Sequence, residues 1–338
     1  MQHPKAHITI HDIARELGIS ASTVSRALKD NPRISAATRQ AVHELAEKYQ
    51  YKPNGIAASL RMGKGNTVGV IVPNIHRSFF SNVIAGMEEV LSKAGYNLMI
   101  CQSNEKLEKE KAAISTLINA RVDAILMSLS METDSYDHFE TLVEAGMKLV
   151  FFDRIPHKIA KSSVVINDYQ AAYRLTEHLI EQGYRRPAHV GGSESINVYA
   201  DRKRGFTDAL LAHGINYSDD YVIITDMTKD GGEDAFDRFM ELPIPPDAIM
   251  CSGDFTALGV AISARKRNIR IPEELGITGF ANEDFTAFVS PPITTIDQHG
   301  RDVGREAAQA FLQEDMNGGQ LNKIIEPSLL LRESSTRK

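Results

Sequence analysis

Residues 8–28 read ITIHDIARELGISASTVSRAL, a stretch with the spacing of two short helices joined by a tight turn. The first helix carries an apolar stripe at positions i, i+3, i+4 and i+7, formed by Ile10, Ile13, Ala14 and Leu17. Thr9 and Asp12 stand three positions apart, as in a capping box. Gly18 stands where helices commonly end in a left-handed residue, and Ser20 is placed to cap the next helix. The stretch therefore predicts a helix-turn-helix.

The second predicted helix has an inward and an outward side. Its inward residues are Ala21, Val24 and Leu28, and a third helix after Ser35 completes a small core. Small donors and one arginine remain outside near its start: Ser22, Thr23, Ser25 and Arg26. These side chains suit base edges and phosphates in a DNA major groove. A helical hairpin whose polar face is merely solvated is the alternative.

Basic residues concentrate at one end of the chain. Residues 1–64 hold ten Lys or Arg and five Asp or Glu, a balance of +5. The whole chain has a net charge of −6, so residues 65–338 carry −11. A basic head on an acidic body is expected of a protein whose head alone meets a polyanion. The charge distribution therefore favours DNA binding by the head.

The composition is that of a globular protein with several domains. Its 338 residues, 42% hydrophobic and 24% charged, suffice for a small head plus one large or two medium domains. No apolar run is long enough to cross a bilayer, and Asp12, Arg15 and Glu16 interrupt any secretion signal, so we expect a cytosolic protein. Cys101 and Cys251 lie far apart in apparent strands, which favours a buried thiol in each.

Past residue 64, apolar strands alternate with amphipathic helices. A first series has strands at 68–72, 98–101, 124–127 and 149–152, with helices at roughly 81–94, 105–120 and 136–145. A second series has strands near 164–166, 188–191, 221–224, 248–251 and 276–279. This alternation is typical of parallel sheets covered on both faces. We therefore expect an all-α head and an α/β body of two doubly wound lobes, with ligand between the carboxyl ends of their strands.

Several segments stand in one order along almost the whole chain. They are DIARELGISASTVSRAL, ISAATRQAVHELAEKYQYKPNGIAASL, VGVIVPNI, RKRGF, CSGDFTALG, ITGF, PPITTIDQ and LLLRESST. With these segments the chain resembles the lactose/galactose-repressor (LacI/GalR) family of bacterial transcription regulators. The resemblance implies two lobes of the periplasmic-binding-protein type, dimers, and heads that hold a near-palindromic operator.

The resemblance also implies domain boundaries. These are a helix-turn-helix head at 1–52, a hinge helix at 53–63 and an effector-binding and dimerisation body at 64–338. Within the body, the N-lobe comprises about 64–165 and 297–325, and the C-lobe about 166–296 and 326–338. The chain would cross between the lobes near Asn167, Asp297 and Pro327.

Residues 51–61, YKPNGIAASLR, match the family's hinge, where Leu60 corresponds to a wedge pushed between base pairs in the minor groove. A helix over 54–62 is shorter than the roughly 12–15 residues that hold helicity alone in water. Gly55 weakens it by about another 0.5–1 kcal/mol relative to Ala. We therefore expect it to fold only when paired with its twin on DNA, so that an effector can control operator binding. A plain flexible linker is the alternative.

The resemblance further indicates which residues touch DNA. It places the base-reading positions at Ala21 and Ser22, and Ala21 offers only a methyl contact to thymine. The expected DNA-binding set is Thr9, Ser20, Ala21, Ser22, Thr23, Ser25, Arg26, Arg33, Tyr51, Asn54, Ala57, Leu60 and Arg61. Arg33, Asn54 and Arg61 would meet the phosphate backbone or minor groove, although solvated side chains explain each of them equally.

Effector contacts are expected at the strand ends of both lobes. The resemblance gives Phe79, Phe80, Asp153, Asn197, Arg202, Asp254 and Asn282. The alternatives are core packing for the two phenylalanines, a salt bridge across the cleft for Arg202, and helix N-capping for Asp254 and for Asp168.

The chain departs from the family after ITGF. Many members have an aspartate where this chain has Ala281, so a carboxylate that would clamp paired hydroxyls is missing, and Asn282 or Asp284 is left to substitute. Arg154 beside Asp153 would add a cation near the cleft and so indicate an acidic sugar, but a surface arginine is the favoured interpretation.

The sequence therefore predicts an allosteric regulator, most simply a repressor of carbohydrate-use genes. The competing classes are a solute-binding protein, disfavoured by the basic head, and an enzyme. Phosphate loops, nucleophile elbows and HExxH sites are absent from the sequence, so we expect no catalysis, no cofactor and no metal. A leucine heptad is absent from the tail, which favours a homodimer over a tetramer.

Overall fold

In a computed structural model, the structure describes residues 8–51, 65–156, 162–216, 218–317 and 321–337, with the side chains of 315–317 left aside. The chain forms two compact units, Met1–Gly65 and Asn66–Lys338, here called the head and the body. The head holds three helices within its described residues: α1 (Ile10–Glu16), α2 (Ala21–Ala27) and α3 (Ala36–Lys48).

The head helices begin and end where the sequence signals them. The Ser20 hydroxyl accepts a hydrogen bond from the Thr23 backbone N–H at 3.1 Å and so caps α2, as predicted. Ser35 caps α3 in the same way through Thr38, at 3.2 Å. After α1, Gly18 has φ +61°, a left-handed conformation that costs glycine little. The turn between α1 and α2 is therefore short.

The head core is small and apolar. Ile13, Val24 and Val42, one from each helix, are fully buried at its centre. Ala21 and Leu28 are partly buried against them, in agreement with the inward face predicted for α2. On the head surface, the Tyr49 hydroxyl donates to Glu16 at 2.8 Å and ties α3 to α1.

The body contains two parallel sheets. The first has the order β11-β5-β4-β3-β1-β2, with β1 (Thr67–Val72), β2 (Asn97–Gln102), β3 (Ala124–Met127), β4 (Lys148–Phe152), β5 (Ser162–Ile166) and β11 (Asn322–Ile325). The second has the order β7-β6-β8-β9, with β6 (Pro187–Gly191), β7 (Val222–Ile224), β8 (Ala248–Cys251) and β9 (Gly276–Thr278). β3, β6 and β8 are buried along their whole length, as both faces of such sheets are covered.

One strand was assigned to the wrong series. The pattern placed 164–166 at the start of the second series, whereas β5 pairs with β4 and β11 in the first sheet. Hydrophobic periodicity indicates that a strand is present but not which strands it pairs with, because it reports only the burial of the strand's own side chains. The second sheet begins only with β6.

The chain passes between the sheets three times. It leaves the first sheet after β5, returns after β10 (Thr295–Asp297), and leaves again after β11 to form β12 (Ser328–Leu330). β10 and β12 pair antiparallel. These passages lie beside the crossings expected near Asn167, Asp297 and Pro327. The first sheet with its helices is called the first lobe below, and the second sheet with its helices the second lobe.

Helices cover both faces of the sheets. They are α4 (Ser78–Leu91), α5 (Leu107–Asn119), α6 (Asp137–Glu144), α7 (Asp168–Glu181), α8 (Asn197–Ala212), α9 (Lys229–Met240), α10 (Asp254–Lys266) and α11 (Gly300–Asn317). The helix expected at 81–94 begins three residues earlier, at Ser78. α4 and α11 approach so closely that a Cβ on Gly86 would lie 2.0 Å from the Arg301 carbonyl oxygen.

Two further features complete the body. Cys251 is a buried free thiol as expected, whereas Cys101, on the edge strand β2, is only partly buried. None of the helices over the described residues is long and apolar enough to cross a membrane.

Candidate functional site

The outward side of α2 presents the predicted DNA-reading side chains. Ser22 and Arg26 are exposed, and Thr23 and Ser25 are half-buried. At the start of the helix the Ser20 hydroxyl lies 2.8 Å from the Ser22 hydroxyl and 2.9 Å from the Thr23 hydroxyl. This places three hydroxyls together at a helix N-terminus, where donors and a partial positive charge suit a phosphate.

The predicted DNA-binding residues of the head that lie outside the exposed side of α2 differ in their exposure and contacts. Thr9 and Arg33 are exposed, but the Thr9 hydroxyl and backbone N–H both donate to Asp12, at 2.7 and 2.9 Å. Tyr51 is half-buried against the head core, as is Ala21. Asn54, Ala57, Leu60 and Arg61 lie outside the residues that the structure describes.

Between the two lobes of the body lies a cavity of about 410 Å³. Residues that follow strands line it: Arg77 after β1, Glu105 after β2, Asp153 after β4, Asp254 at the start of α10 after β8, and Glu283 after β9. It is thus at the carboxyl ends of both sheets, the position predicted for the ligand. The wall is rich in charge and aromatic rings.

Asp153 and Arg154 form the first-lobe wall. Asp153 is buried at φ +59°, and the Ser128 hydroxyl donates to its carboxylate at 3.1 Å. Burial raises the pKa of this carboxyl, against the nearby charge of Arg154. Arg154 is 6% exposed and donates to Glu105 at 2.6 Å and to the Tyr199 hydroxyl at 3.1 Å. The surface position favoured for Arg154 is therefore wrong.

Arg202 lies on the second-lobe wall in a buried ion pair. Its Nε and Nη2 atoms each lie 2.7 Å from one carboxylate oxygen of Asp168, and Nη1 donates to the Ser252 carbonyl at 2.8 Å. The guanidinium also lies 3.6 Å from the ring centroid of Phe280. Asn167, not Asp168, caps α7, so the capping interpretation of Asp168 is wrong. Arg202 lines the cavity while held by the second lobe alone.

Asp254 also has a role other than capping. Gly253 occupies the N-cap of α10, and the Asp254 carboxylate accepts from the Thr295 hydroxyl at 2.7 Å and the Glu283 backbone N–H at 2.8 Å. Burial raises its pKa to about 6, although both hydrogen bonds lower it. A carboxyl with this pKa changes its protonation near neutral pH.

Phe79 and Phe80 pack in the core, and both also line the cavity. Both are buried at the start of α4. Their rings meet edge to face with centroids 5.1 Å apart. The pair therefore forms an apolar part of the cavity wall and anchors the loop after β1.

Two predicted effector residues point elsewhere and do not line the cavity. Asn197, on the second lobe, accepts from the Ile155 N–H at 2.9 Å and donates to the Asp153 carbonyl at 3.1 Å, which clamps the first-lobe loop after β4. Asn282 accepts from Arg332 at 2.9 Å and donates to Asp297 at 3.3 Å. Each amide therefore makes its hydrogen bonds to the protein and lies outside the cavity lining.

Several residues that line the cavity were not predicted from the sequence, among them Arg77, Glu105 and Glu283. Arg77 crosses to the second lobe, where its guanidinium lies 3.7 Å from the Phe255 ring centroid. Glu283 crosses in the other direction and accepts from the Ser78 N–H at 3.1 and 3.2 Å. Glu105 pairs with Arg154. Their positions directly after strands were a usable signal, but the partners lie up to 205 positions away.

A helix-turn-helix head joined to a body with a polar cavity between two parallel sheets defines the class: a regulatory protein that reads DNA and binds a small molecule. The model for bacterial regulatory proteins of the lacI family matches residues 9–54. The model for periplasmic binding proteins and the sugar-binding domain of that family matches residues 65–326. The chain belongs to the lacI family.

Curated relatives align over nearly the whole chain. Catabolite control protein A of Priestia megaterium is 33% identical over 321 residues, which is 94% of this chain and 96% of the relative. The transcriptional repressor CytR of Escherichia coli K12 is 31% identical over 333 residues, 97% and 96% of the two chains. The second of these is a transcriptional repressor by its name.

Solved structures share the architecture. A complex of the transcriptional regulator CelR with cellobiose has a TM-score of 0.72 at 26% identity and covers 97% of this chain and 99% of that one. The lac repressor dimer bound to operator has a TM-score of 0.86 at 22% identity, with 98% and 100% covered. The second likeness concerns the fold alone.

Proposed function

We propose that the protein is a sequence-specific DNA-binding transcriptional repressor of carbohydrate-use genes, whose operator binding is controlled by a sugar-like effector. The observation that carries this proposal is the cavity between the lobes. Its 410 Å³ falls within the roughly 300–1,000 Å³ of small-molecule sites. Its carboxylates and arginines match the acceptors and donors that hydroxyl groups need, and Phe79 and Phe80 add apolar surface.

DNA binding is assigned to the head. Ser22 and Arg26 are exposed on α2, and the residues up to 64 carry a balance of +5. Arg26 is the bidentate donor of the helix, suited to guanine or phosphate. We take 1–52 as the DNA-binding domain, 53–63 as the hinge and 64–338 as the effector domain.

Coupling between effector and DNA is assigned to the hinge. A helix of about nine residues is too short to be stable alone, so it folds only against a second hinge on DNA. An effector that changes the spacing of two bodies then changes whether the hinges pair. This mechanism requires a dimer.

A homodimer on a near-palindromic operator is part of the proposal. The solved lac repressor relative is a dimer on its operator. In this chain, edge strands β2 and β7 carry exposed apolar residues, Ile100 at 42% and Ile224 at 46% exposure. Unpaired edges with apolar side chains are surfaces that a second copy can cover.

Binding without catalysis is the remaining part of the proposal. The relatives named above are regulators, which supports a non-enzymatic role, and a protein that reads DNA acts in the cytosol. A solute-binding protein of the same body architecture would not retain DNA. A DNA mobility shift that weakens steeply with salt separates the two classes.

The experiment is selection of bound DNA from a random pool, repeated with and without a panel of sugars. A near-palindromic consensus whose retention changes with one sugar is the expected result, and it gives the sign of the coupling. Arg26→Gln should weaken retention, whereas Arg204→Gln, at an exposed arginine of the body, should not. Failure to enrich any sequence would overturn the proposal.

A further inference from the structure

We propose that the effector carries an anionic group, a carboxylate or a phosphate, and that Arg77 binds it. The inference rests on the proposed function and narrows it from sugars in general to sugar acids or sugar phosphates. The basis is a difference between Arg77 and the two other arginines that line the cavity.

The three arginines that line the cavity among the described residues are not equivalent. Arg154 lies 2.6 Å from Glu105, and Arg202 lies 2.7 Å from Asp168, so both are paired with a carboxylate. Arg77 has no carboxylate oxygen of the described residues within 4.0 Å of its guanidinium. It is the lining arginine whose charge is left for a ligand.

The cavity carboxylates, in contrast, already accept hydrogen bonds from the protein. Glu105 accepts from Arg154 and from the Met131 N–H at 2.9 Å. Asp226 accepts twice from Thr228, at 2.7 and 3.1 Å. Asp153, Asp254 and Glu283 are engaged as described above. Each of these carboxylates thus accepts hydrogen bonds from the protein, whereas the guanidinium of Arg77 donates only one weak hydrogen bond within the described residues.

The geometry of Arg77 presents donors to a ligand. Its guanidinium lies 3.7 Å from the centroid of the Phe255 ring and its Nη2 donates weakly to the Met227 carbonyl at 3.5 Å. A guanidinium has five N–H donors, so most of them remain available. The side chain is half-buried, which strengthens any charge-assisted hydrogen bond it makes.

A neighbouring feature adds to the positive character of this wall. It is not the N-terminus of α4, whose N-cap is Arg77, because the Glu283 carboxylate already accepts from the Ser78 N–H there. The buried Nε of Arg154 on the same cavity lacks a hydrogen-bond partner among the described residues. Glu283 faces Arg77 from the second lobe, but its carboxylate is held by the Ser78 N–H.

The carboxylates define the rest of the ligand. Each retains lone pairs that can accept from hydroxyl groups, so a bare inorganic anion would leave that part of the cavity unused. A polyhydroxyl molecule with one anionic end could bind both to Arg77 and to the carboxylates of the cavity. Its anionic end would lie at Arg77, and its hydroxyls at Asp153 and Asp254.

Calorimetry on the full chain tests this with matched probes. Glucose and galactose are compared with gluconate, galacturonate and glucose 6-phosphate, and with inorganic phosphate alone. An acid or phosphate ester is expected to bind at least tenfold more tightly than its neutral parent. Arg77→Gln should reduce that affinity roughly 10- to 100-fold, Arg77→Lys should reduce it less, and the exposed-site control Arg204→Gln should leave it unchanged.

The outcomes separate the two proposals. If a neutral sugar binds as tightly as its acid, and Arg77→Gln has no effect, the anionic effector is refuted while the sugar-controlled regulator stands. If neither the neutral sugars nor the acids and phosphate esters bind, sugars are excluded as the effector class, and this inference is excluded with them. Tight binding of inorganic phosphate that Arg77→Gln abolishes would support the anion site and contradict the sugar. Should Arg77→Gln unfold the protein, Arg77→Lys carries the test.

Discussion

Arg202 and Asp168 form an ion pair that is 95% or more buried, with both Nε and Nη2 of the arginine 2.7 Å from one carboxylate oxygen. The pair joins the first residue of α7 to α8. Because Phe280 covers one face of the guanidinium at 3.6 Å, the arginine is fixed before any effector arrives. Arg202 is therefore a positioned part of the cavity wall as well as a cross-link within the second lobe.

Arg202→Gln should destabilise the body. The change removes the partner of the buried Asp168 carboxyl, whose pKa burial already raises to about 7, and breaking a buried pair in this way costs about 3–5 kcal/mol in comparable sites. Urea unfolding of the full chain at pH 7 measures this loss. The double variant Arg202→Gln with Asp168→Asn removes both charges and should recover part of it. Equal losses in the single and double variants would show that the arginine acts through packing rather than charge.

The strand and helix pattern of the body could be predicted because each element carries its own periodicity. The burial of Arg154 could not be predicted, since it depends on Glu105, 49 positions earlier, and on Tyr199 of the other lobe. The pairing of β5 with β11, at the far end of the chain, left no signal in the periodicity of either strand. The resemblance indicated Asp153, Arg202 and Asn282 alike, but only Asp153 and Arg202 line the cavity, because the amide oxygen of Asn282 accepts from Arg332 instead.

Asp254 makes the stability of the body depend on pH. Burial raises its pKa from 3.8 to about 6, so the folded state binds this proton more tightly than the unfolded chain does. The stability it contributes is full below pH 4 and is lost as pH rises through about 6. Relative to Asp254→Asn, the unfolding free energy of the parent should fall by up to about 3 kcal/mol between pH 4 and pH 7. If the unfolding free energies of the two proteins change with pH in the same way, the raised pKa of Asp254 is contradicted.

Glu283 should hold the cleft closed. Its carboxylate accepts from the Ser78 N–H across the cavity and places a negative charge at the N-terminus of α4. Glu283→Ala should weaken closure by about 1–2 kcal/mol, a factor of roughly 5–30. Hydrogen exchange of a peptide spanning 76–81 should then be faster by that factor. Asp284→Ala, at the exposed acid next in sequence, is the control and should leave the exchange rate as in the parent.

Substitutions at Leu60 and at Gly55 should change the operator affinity in opposite directions. Leu60→Gly and Leu60→Ala both remove the proposed wedge. Both should weaken operator binding by about tenfold or more, because the contacts of that side chain would no longer offset the cost of unstacking a base step. The glycine variant should be the weaker because it also lowers helix propensity by about 1 kcal/mol. Gly55→Ala should strengthen binding by favouring the folded hinge, by about 0.5–1 kcal/mol in each protomer. Titration of the selected operator measures all three, and parental affinity in both Leu60 variants would exclude the wedge.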